Sequence, residues 1–242
     1  MASKYLGIYH DLKARIENNA YPYQTLLPSE YELIAIYDCS RNTVRRALAL
    51  LAADGYVQSV HGKGVRVLYQ PHSQTTFSVG GIETFAESAQ RNGKQAFTKV
   101  LSLDHITLDA ETAAPTGFRS GTEVWYLRRL RFLEGVPLIL DYSYFRTTQV
   151  PELTSGIASS SVYSYVEDQL GLSIATAKRT LTVERTTDTD CHYLAMQDFN
   201  CVAVITSQTY DAQGQQFEYT QSRHRPDFFS FQDIATRSKG DV

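Results

Sequence analysis

Two serines, Ser29 and Ser40, mark where helices can begin in the N-terminal part of the chain. Ser29 stands three residues before Glu32, the spacing at which the two side chains satisfy each other's free backbone N–H groups at a helix start. Asp38-Cys39 interrupts the apolar pattern that follows, and Ser40 can cap another helix. This part of the chain is therefore restricted to short helices separated by a tight turn.

The apolar spacing predicts three helices in this region. One ends at Asn18-Asn19, one follows Ser29, and one follows Ser40 and stops at Asp54-Gly55. In each of them apolar residues recur every three or four positions, which places them on one helix face. The inward-facing residues are Tyr5, Ile8, Tyr9, Leu12 and Ile16, then Leu33, Ile36 and Tyr37, then Val44, Ala47, Leu48 and Leu51.

Two runs of β-type residues, 56–60 and 65–69, follow the third helix. His61-Gly62-Lys63-Gly64 joins them, and its glycines permit the positive φ angles of a tight hairpin. We therefore predict an N-terminal domain over residues 1–69, made of three helices and a hairpin.

The sequence pattern after residue 69 predicts a linker followed by a second domain. Residues 70–76 are polar, contain Pro71 and have no periodicity, which is typical of a linker. In residues 77–242 strand patterns outnumber helices and neighbour one another, which favours an antiparallel sheet with helices packed on it. The predicted fold class is α+β. Strands are predicted near residues 97–106, 123–133, 137–145, 173–186, 202–210 and 215–223, and helices near residues 83–92, 161–169 and 188–196.

Charge and cysteine content exclude several classes of protein. Residues 1–70 hold eight basic against six acidic residues and the rest 15 against 20, so the basic excess lies at the N-terminal end. The longest apolar run, residues 47–53, is far shorter than the ~20 residues of a membrane helix, and the N-terminus lacks a signal-peptide pattern. Three cysteines without a CxxC pair suggest neither a disulfide framework nor a zinc site. We expect a cytoplasmic protein without membrane association, metal or cofactor.

The polar face of the third predicted helix is suited to DNA. Arginine and asparagine side chains can read base edges, and a helix N-terminus favours phosphate. A basic face by itself can simply be solvated. Here, however, a capped helix, a short turn, a capped basic helix and a glycine-flanked wing follow one another, which is the helix-turn-helix arrangement. The outward-facing residues are Arg41, Asn42, Thr43, Arg45 and Arg46.

These residues resemble the GntR family of bacterial transcription regulators. The resemblance implies a winged helix-turn-helix whose recognition helix and wing contact an operator, with Glu30 at the same interface. It rests on Leu27-Pro28-Ser29-Glu30, Glu32-Leu33, Ser40-Arg41-Asn42-Thr43-Val44-Arg45, Ala47-Leu48, Leu51, Gly55 and Gly62-Lys63-Gly64. The contacts that it implies come from Arg41, Asn42, Thr43 and Arg45 and, in the wing, from His61, Gly62, Lys63 and Gly64.

Two arginines on a predicted strand mark a candidate anion site. Arg129 and Arg131 project from the same face and can hold a phosphate, although a surface ion-pair ladder is the other interpretation. If the next turn has three residues, Arg129 pairs with Asp141, and all three side chains share a face. A two-residue turn at Glu134-Gly135 instead puts Asp141 on the other face, and the sequence leaves both open.

Further polar residues follow along the chain. Ser161 begins a predicted helix, where a hydroxyl and free N–H groups can bind an anion, but Ser161 as a simple cap and Tyr163 as a core residue explain the pattern as well. Glu218, Arg223 and His224 belong to the last predicted hairpin or follow it. They add polar groups at one end of the sheet, where Arg223 is a further candidate effector residue, or they are solvated strand residues.

The second segment resembles the UTRA effector domain of the HutC branch of GntR regulators, which has a chorismate-lyase-like fold. The resemblance rests on Arg129-x-Arg131, Glu134-Gly135-x-Pro137, Ser161-x-Tyr163-x-Tyr165 and Phe231. It implies Arg129, Arg131 and Ser161 as phosphate ligands, and Asp141, Tyr163 and Glu218 as groups facing a sugar.

The same resemblance implies that the loop over residues 81–85, ending at Phe85, supplies backbone N–H groups to the phosphate. Where relatives carry a hydroxyl after the position of Phe85, this chain has Ala86. Thr84 is then the side-chain hydroxyl expected to act there.

Within this branch the chain resembles the trehalose operon repressors of Gram-positive bacteria. This resemblance implies trehalose 6-phosphate as effector and a homodimer that binds a palindromic operator. We expect the effector to favour a domain arrangement that no longer matches the operator half-sites. The motifs are Leu140-Asp141-Tyr142-x-Tyr144-Phe145, Val150-Pro151-x-Leu153-Thr154, Leu170-Gly171-Leu172-Ser173-Ile174 and Tyr219-Thr220-x-Ser222-Arg223-His224-Arg225.

Three other functions are alternatives to this prediction. A regulator could sense another sugar phosphate, such as N-acetylglucosamine 6-phosphate. A ligand-independent DNA-binding protein would leave the long second segment without a role. An enzyme, suggested by the lyase relative of the second fold, lacks support because no metal-ligand spacing, nucleotide loop or nucleophile arrangement is recognisable.

Overall fold

The structure is a computed structural model of the 242-residue chain and describes residues 4–70, 76–78, 82 and 84–232. These residues divide into two compact units, one within residues 4–70 and the other within residues 76–232. Most of the predicted linker, residues 71–75, lies outside the described residues, as do residues 233–242 of the predicted second domain. Among the described helices, none combines the length and apolar character needed to cross a membrane.

The first unit contains the three predicted helices and the predicted hairpin. A three-residue loop joins the hairpin strands, because Gly64 pairs with Val60 and belongs to the second strand. The elements are α1 (Lys4–Glu17), α2 (Glu30–Tyr37), α3 (Arg41–Ala53), β1 (Val57–Val60) and β2 (Gly64–Val67).

Both predicted serine caps are confirmed. The Ser29 hydroxyl accepts a bond of 3.2 Å from the Glu32 backbone N–H, and the Glu32 carboxylate accepts one of 2.7 Å from the Ser29 N–H. The Ser40 hydroxyl accepts from the Thr43 N–H at 3.3 Å. Between the two helices Asp38 takes a left-handed conformation with φ of 44°, which ends α2 and allows the tight turn.

One hydrophobic core holds the first unit together. Each helix contributes the apolar stripe expected from its spacing, and the hairpin covers one side of the core. The buried residues are Ile8, Leu12, Ile16, Leu27, Leu33, Val44, Ala47, Leu48, Leu51, Val57 and Val67.

The second unit is built on a six-stranded antiparallel sheet, as predicted. The strand order is β4-β5-β6-β9-β8-β7, so the final hairpin inserts between β6 and β7. The strands are β4 (Ala96–Thr107), β5 (Glu123–Leu133), β6 (Val136–Arg146), β7 (Ile174–Arg185), β8 (Cys201–Asp211) and β9 (Gln216–His224), and the helices are α4 (Phe85–Arg91), α5 (Ala110–Ala113), α6 (Ser155–Ser159), α7 (Val162–Ser164) and α8 (Asp188–Tyr193).

Several elements differ from the prediction. The helix predicted over residues 161–169 is the short α7 followed by a π-helical turn, Tyr165–Gln169. Helices α5 and α6 were not predicted. Neither was the parallel pair of β3 (Thr76–Ser78) and β10 (Ser230–Gln232), whose partners lie far apart in the sequence.

Helices cover both faces of the large sheet. On one face Phe145, Val162 and Phe217 belong to a buried cluster that includes residues of α6 and α7. On the opposite face Leu140 and Val204 pack with residues that follow α8. Helix α4 packs through Ala89 near the β5–β6 turn, so the first face is bounded by α4 at one end.

Candidate functional site

Helix α3 of the first unit is the predicted recognition helix, and its polar face is exposed. Arg41, Asn42, Arg45 and Arg46 are exposed on it, while Thr43 at the start of the helix is partly buried. The Arg46 guanidinium lies 4.1 Å from the centre of the Tyr5 ring, so it stacks on α1 while keeping an exposed edge. The arrangement presents cationic and amide groups to one surface, as expected for DNA contact.

Glu30 at the start of α2 is an ion-pair partner of this surface. One of its carboxylate oxygens lies 2.8 Å from Arg41 Nε, and the other lies 3.1 Å from Arg45 Nε. The hydrogen bond from Arg41 is the main reason that the pKa of Glu30 lies below its usual value. Glu30 therefore holds two arginines of the recognition helix in place.

The loop of the β1–β2 hairpin carries the predicted wing residues. His61, Gly62, Lys63 and Gly64 are all exposed. Gly62 and Gly64 have φ angles of 71° and 111°, where a side chain would be strained. The two glycines thus keep the backbone on either side of Lys63 accessible to a DNA backbone or groove.

A cavity of about 280 Å³ opens on the face of the large sheet that α4 bounds. Its walls come from the first turn of α4, from residues 160–163 and from strands β5–β9. Among the nine predicted effector residues, eight line it, namely Thr84, Phe85, Arg129, Arg131, Asp141, Ser161, Tyr163 and Glu218.

The β5–β6 turn combines the two geometries that the sequence left open. Leu133 pairs with Val136 across a two-residue turn at Glu134-Gly135. Both turn residues have positive φ angles, 51° at Glu134 and 77° at Gly135. A bulge then shifts the register, because Phe132 pairs with Pro137 whereas Arg131 pairs with Ile139. The extra residue restores the pairing of a three-residue turn and brings Asp141 to the face of the arginines.

Arg129 and Arg131 share the Asp141 carboxylate. Arg131 Nε donates to Asp141 Oδ2, and Arg129 Nη2 lies 3.7 Å from the same oxygen. Ser222 donates to the other oxygen at 2.7 Å. Arg129 also donates to the Ser143 hydroxyl at 3.3 Å, but its Nε has no hydrogen-bond partner within the described part of the chain.

Burial and charge set the protonation of this group. Burial and the neighbouring charge of Arg131 lower the pKa of Arg129 to about 10, so it remains a cation at neutral pH. Burial by itself favours the neutral form of Asp141, but the charges of Arg131 and Arg129 outweigh it and hold the pKa of Asp141 below its usual value. Arg129 and Arg131 carry two positive charges and Asp141 carries one negative charge. Together they give this part of the cavity wall a net positive charge, which attracts an anion.

A second polar group lies on the same sheet face. Tyr163 donates a hydrogen bond of 2.5 Å to one oxygen of Glu218, and Thr220 donates to the other at 2.8 Å. Burial and the Glu218 charge raise the pKa of Tyr163 well above its usual value, so its hydroxyl stays protonated. This end offers hydrogen-bond acceptors and donors of the kind that sugar hydroxyls need.

The remaining predicted ligands lie at helix starts. Thr84 caps α4, with its hydroxyl accepting from the Glu87 N–H at 3.2 Å. Phe85 follows, and the Arg131 guanidinium lies 5.1 Å from the centre of its ring. Ser161 caps α7 through the Ser164 N–H at 3.2 Å, so it is both a cap and a wall residue. Residues 81 and 83 of the predicted phosphate loop lie outside the described residues.

Arg223 does not belong to this cavity, and its assignment as an effector residue was wrong. Side chains alternate between the faces of β9, and Arg223 lies on the opposite face. There it donates to both carboxylate oxygens of buried Asp190, at 2.8 and 2.9 Å, and to Glu184 at 2.6 Å. It therefore connects β9 to α8 and to β7.

Several lining residues were missed by the sequence analysis. Thr220, Ser222 and His224 alternate with Arg223 along β9, and this alternation with Glu218 was the signal available in the sequence. Burial lowers the pKa of His224 to about 4. No local pattern pointed to the others, which reach the cavity through tertiary packing. The polar residues among them are Ser88, Ser160, Arg179, Thr180 and Ser207.

Comparison with protein families and known proteins agrees with both units. Residues 4–67 match the family described as bacterial regulatory proteins, gntR family, and residues 91–230 match the UTRA domain. The chain is 37% identical over 237 residues to the HTH-type transcriptional regulator TreR of Bacillus subtilis (strain 168), covering 98% of this chain and 99% of that protein.

Solved structures show the same architecture. The possible transcriptional regulator YydK of Bacillus subtilis superposes with a TM-score of 0.82 at 24% identity, covering 97% of this chain and 100% of that one. The effector binding domain of the Bacillus subtilis trehalose repressor, TreR, is 32% identical with a TM-score of 0.54, covering 59% of this chain and 99% of that domain. The chain therefore belongs to the GntR family of bacterial transcription regulators and carries a UTRA domain.

Proposed function

We propose that this protein is a repressor of a trehalose utilisation operon that leaves its operator when trehalose 6-phosphate binds the cavity. The observation that carries the proposal is the pair of buried Arg129 and partly buried Arg131. They share one carboxylate in a cavity that also contains the Tyr163–Glu218 pair. A relative with 37% identity over nearly the whole chain is named as a trehalose repressor.

The two ends of the ligand match the two polar groups. The phosphate binds Arg129 and Arg131, with Ser161 and the α4 start around Thr84 and Phe85 beside it. The sugar hydroxyls bind Tyr163, Glu218 and Asp141. The cavity volume of about 280 Å³ lies near the lower end of the usual range for small-molecule sites, ~300 Å³ and upward, as expected for a site that takes a single sugar phosphate.

The first unit recognises the operator. Arg41, Asn42, Thr43 and Arg45 contact bases and phosphates from the recognition helix, with Glu30 orienting two of the arginines and Arg46 adding charge. The wing, His61 to Gly64, contacts the DNA backbone. A homodimer presents two such units to a palindromic operator in the cytoplasm.

Effector and operator act on one conformational equilibrium. The operator binds an arrangement of the dimer in which both recognition helices match their half-sites. The sugar phosphate favours another arrangement and so lowers operator affinity by population shift. In this proposal the chain performs no catalysis, and the sugar phosphate is recovered unchanged.

Calorimetric titration of the purified protein tests the effector. Trehalose 6-phosphate is the ligand, with trehalose and N-acetylglucosamine 6-phosphate as controls. We expect tight binding of the first alone, because only it supplies both the phosphate and the disaccharide. Binding of the amino-sugar phosphate in its place would support the second candidate, a regulator that responds to another sugar phosphate. Silence with all three would overturn both trehalose 6-phosphate and N-acetylglucosamine 6-phosphate as the effector.

An operator titration tests the response. A labelled palindromic operator is bound by the protein, and fluorescence anisotropy is followed as trehalose 6-phosphate is added. We expect release of the DNA at effector concentrations that match the calorimetric affinity. Unchanged or tighter DNA binding at saturating effector would contradict the repressor mechanism.

A further inference from the structure

Ser88 on α4 is a buried serine whose hydroxyl has no hydrogen-bond partner in the part of the chain that the structure describes. Its side chain is 3% exposed, and its Oγ makes no hydrogen bond within residues 4–70, 76–78, 82 and 84–232. The Ser88 backbone is engaged, because its N–H donates to the Thr84 carbonyl at 3.0 Å and its carbonyl accepts from the Asn92 side chain at 2.6 Å. Buried hydroxyls in proteins nearly always have a partner, so the isolated oxygen requires an explanation.

The surroundings of Ser88 point to a ligand. Ser88 lines the same cavity as Arg129, whose Nε is likewise buried and without a hydrogen-bond partner in the described residues. Phe85 lies three residues before Ser88, so both side chains belong to one face of α4. The Arg131 guanidinium lies over the Phe85 ring. The helix face that carries Ser88 is therefore the one that meets the arginines.

We propose that Ser88 donates a hydrogen bond to the anionic group of the effector, together with Arg129 and Arg131. The proposal rests on the function proposed above and adds a residue that determines specificity for a phosphate-bearing ligand. A phosphate oxygen is an acceptor, so the serine must donate, and hydrogen bonds to charged oxygens are the stronger class. A neutral ligand gains less from this contact, because its oxygens are weaker acceptors than those of a phosphate.

A Ser88→Ala variant tests the proposal through two measurements, the affinity for the effector and the melting temperature of the ligand-free protein. Affinity for trehalose 6-phosphate falls about tenfold, equivalent to about 1.4 kcal/mol. The melting temperature of the ligand-free variant stays the same or rises, because the substitution removes a buried hydroxyl that has no hydrogen-bond partner among the described residues. Gln90→Ala, at an exposed position on the same helix, is the matched control and changes neither value.

Inorganic phosphate separates the anion contact from a sugar contact. We expect the Ser88→Ala substitution to lower the affinity for inorganic phosphate and the affinity for trehalose 6-phosphate by the same factor. A loss confined to the sugar phosphate, equal binding by variant and wild type, or a lower melting temperature of the ligand-free variant would each overturn the assignment. A wild-type protein that binds neither ligand would instead overturn the proposed function, and the Ser88 contact with it.

Discussion

Arg129 lies directly opposite Asp141 across the β5–β6 hairpin, with Nη2 3.7 Å from Oδ2. The pairing depends on the bulge between the turn and Arg131, since a regular ladder continued from the two-residue turn would turn Asp141 to the other face. Asp141 is 2% exposed and would then have entered the opposite core without the two arginines. The bulge therefore creates the charged wall of the cavity.

Asp141→Asn should make the ligand-free protein less stable and the phosphate affinity higher. The substitution leaves buried Arg129 and partly buried Arg131 without their carboxylate, and loss of one partner of a buried ion pair costs about 3 kcal/mol. Added phosphate then replaces the missing charge. Urea denaturation with and without inorganic phosphate measures both effects. Exposed Asp198→Asn is the control, and unchanged unfolding of Asp141→Asn would contradict the network.

Arg45→Ala and Arg131→Ala should separate the two activities. Loss of Arg45 removes a contact of the recognition helix, and we expect operator affinity to fall about 10- to 100-fold with effector binding intact. Loss of Arg131 removes a charged ligand of the phosphate, and we expect effector affinity to fall roughly 30-fold, equivalent to about 2 kcal/mol, with operator binding intact. Anisotropy and calorimetry on the same preparations check this. If each folded variant lost both activities, the two-site model would be wrong.

Glu30→Gln should reduce the discrimination between operator and other DNA. The carboxylate holds Arg41 and Arg45, and it also repels phosphate. Without it, we expect affinity for a scrambled duplex to rise roughly threefold, because one negative charge is removed from the interface. Affinity for the operator does not rise equally, since the arginines are no longer oriented. The measurement is the ratio of the dissociation constants for the operator and the scrambled duplex at one salt concentration. An unchanged ratio in Glu30→Gln would contradict the orienting role of Glu30.

His224 should make the protein lose stability on mild acidification. Burial lowers the pKa of His224 to about 4, while the charge of Asp141 acts to raise it and that of Arg131 to lower it further. The unfolded chain, with an ordinary histidine pKa of about 6.5, binds the proton first as the pH falls. Stability is therefore full above pH ~6.5 and decreases towards pH ~4, by roughly 3 kcal/mol in total.

The His224→Gln variant checks this pH dependence. Its side chain does not titrate, so the free energy of unfolding should change less between pH 6.5 and 4 than in the wild type. Denaturant titrations across this range measure the slope. His192→Gln, at an exposed position, provides the comparison and should retain the wild-type profile. An equal slope in His224→Gln would mean that other groups cause the loss.

Much of the fold was predictable because its signals are local. Ser29 and Ser40 cap helices through residues three positions away, and apolar spacing then fixes which faces are buried. Local patterns likewise predict that the basic face of α3 is exposed and that the strands of the second unit form antiparallel hairpins. It missed the parallel pairing of β3 with β10, since nothing local connects residues so far apart.

The cavity was only partly predictable. Arg129 and Arg131 share a face whatever the register, since they are two residues apart on one strand. Whether Asp141 lies on the same face as the two arginines depends on a bulge. Whether Arg223 or His224 lines the cavity depends on the register in which β9 pairs with its neighbouring strands. A shift of one residue reverses every side chain, and no spacing within the segment reveals it.

The sequence by itself determined the helix starts of the first unit, the basic face that it exposes, the strands of the second unit and the residue types available for an anion site. Tertiary structure alone decided that Asp141 faces the arginines, that Arg223 pairs with Asp190 on the other side of the sheet, and that Ser88 reaches the cavity wall from α4. Capping and periodicity act within one or two helical turns, so they can be read along the chain. Strand register and helix docking depend on the packing of distant segments, which only the folded chain brings together.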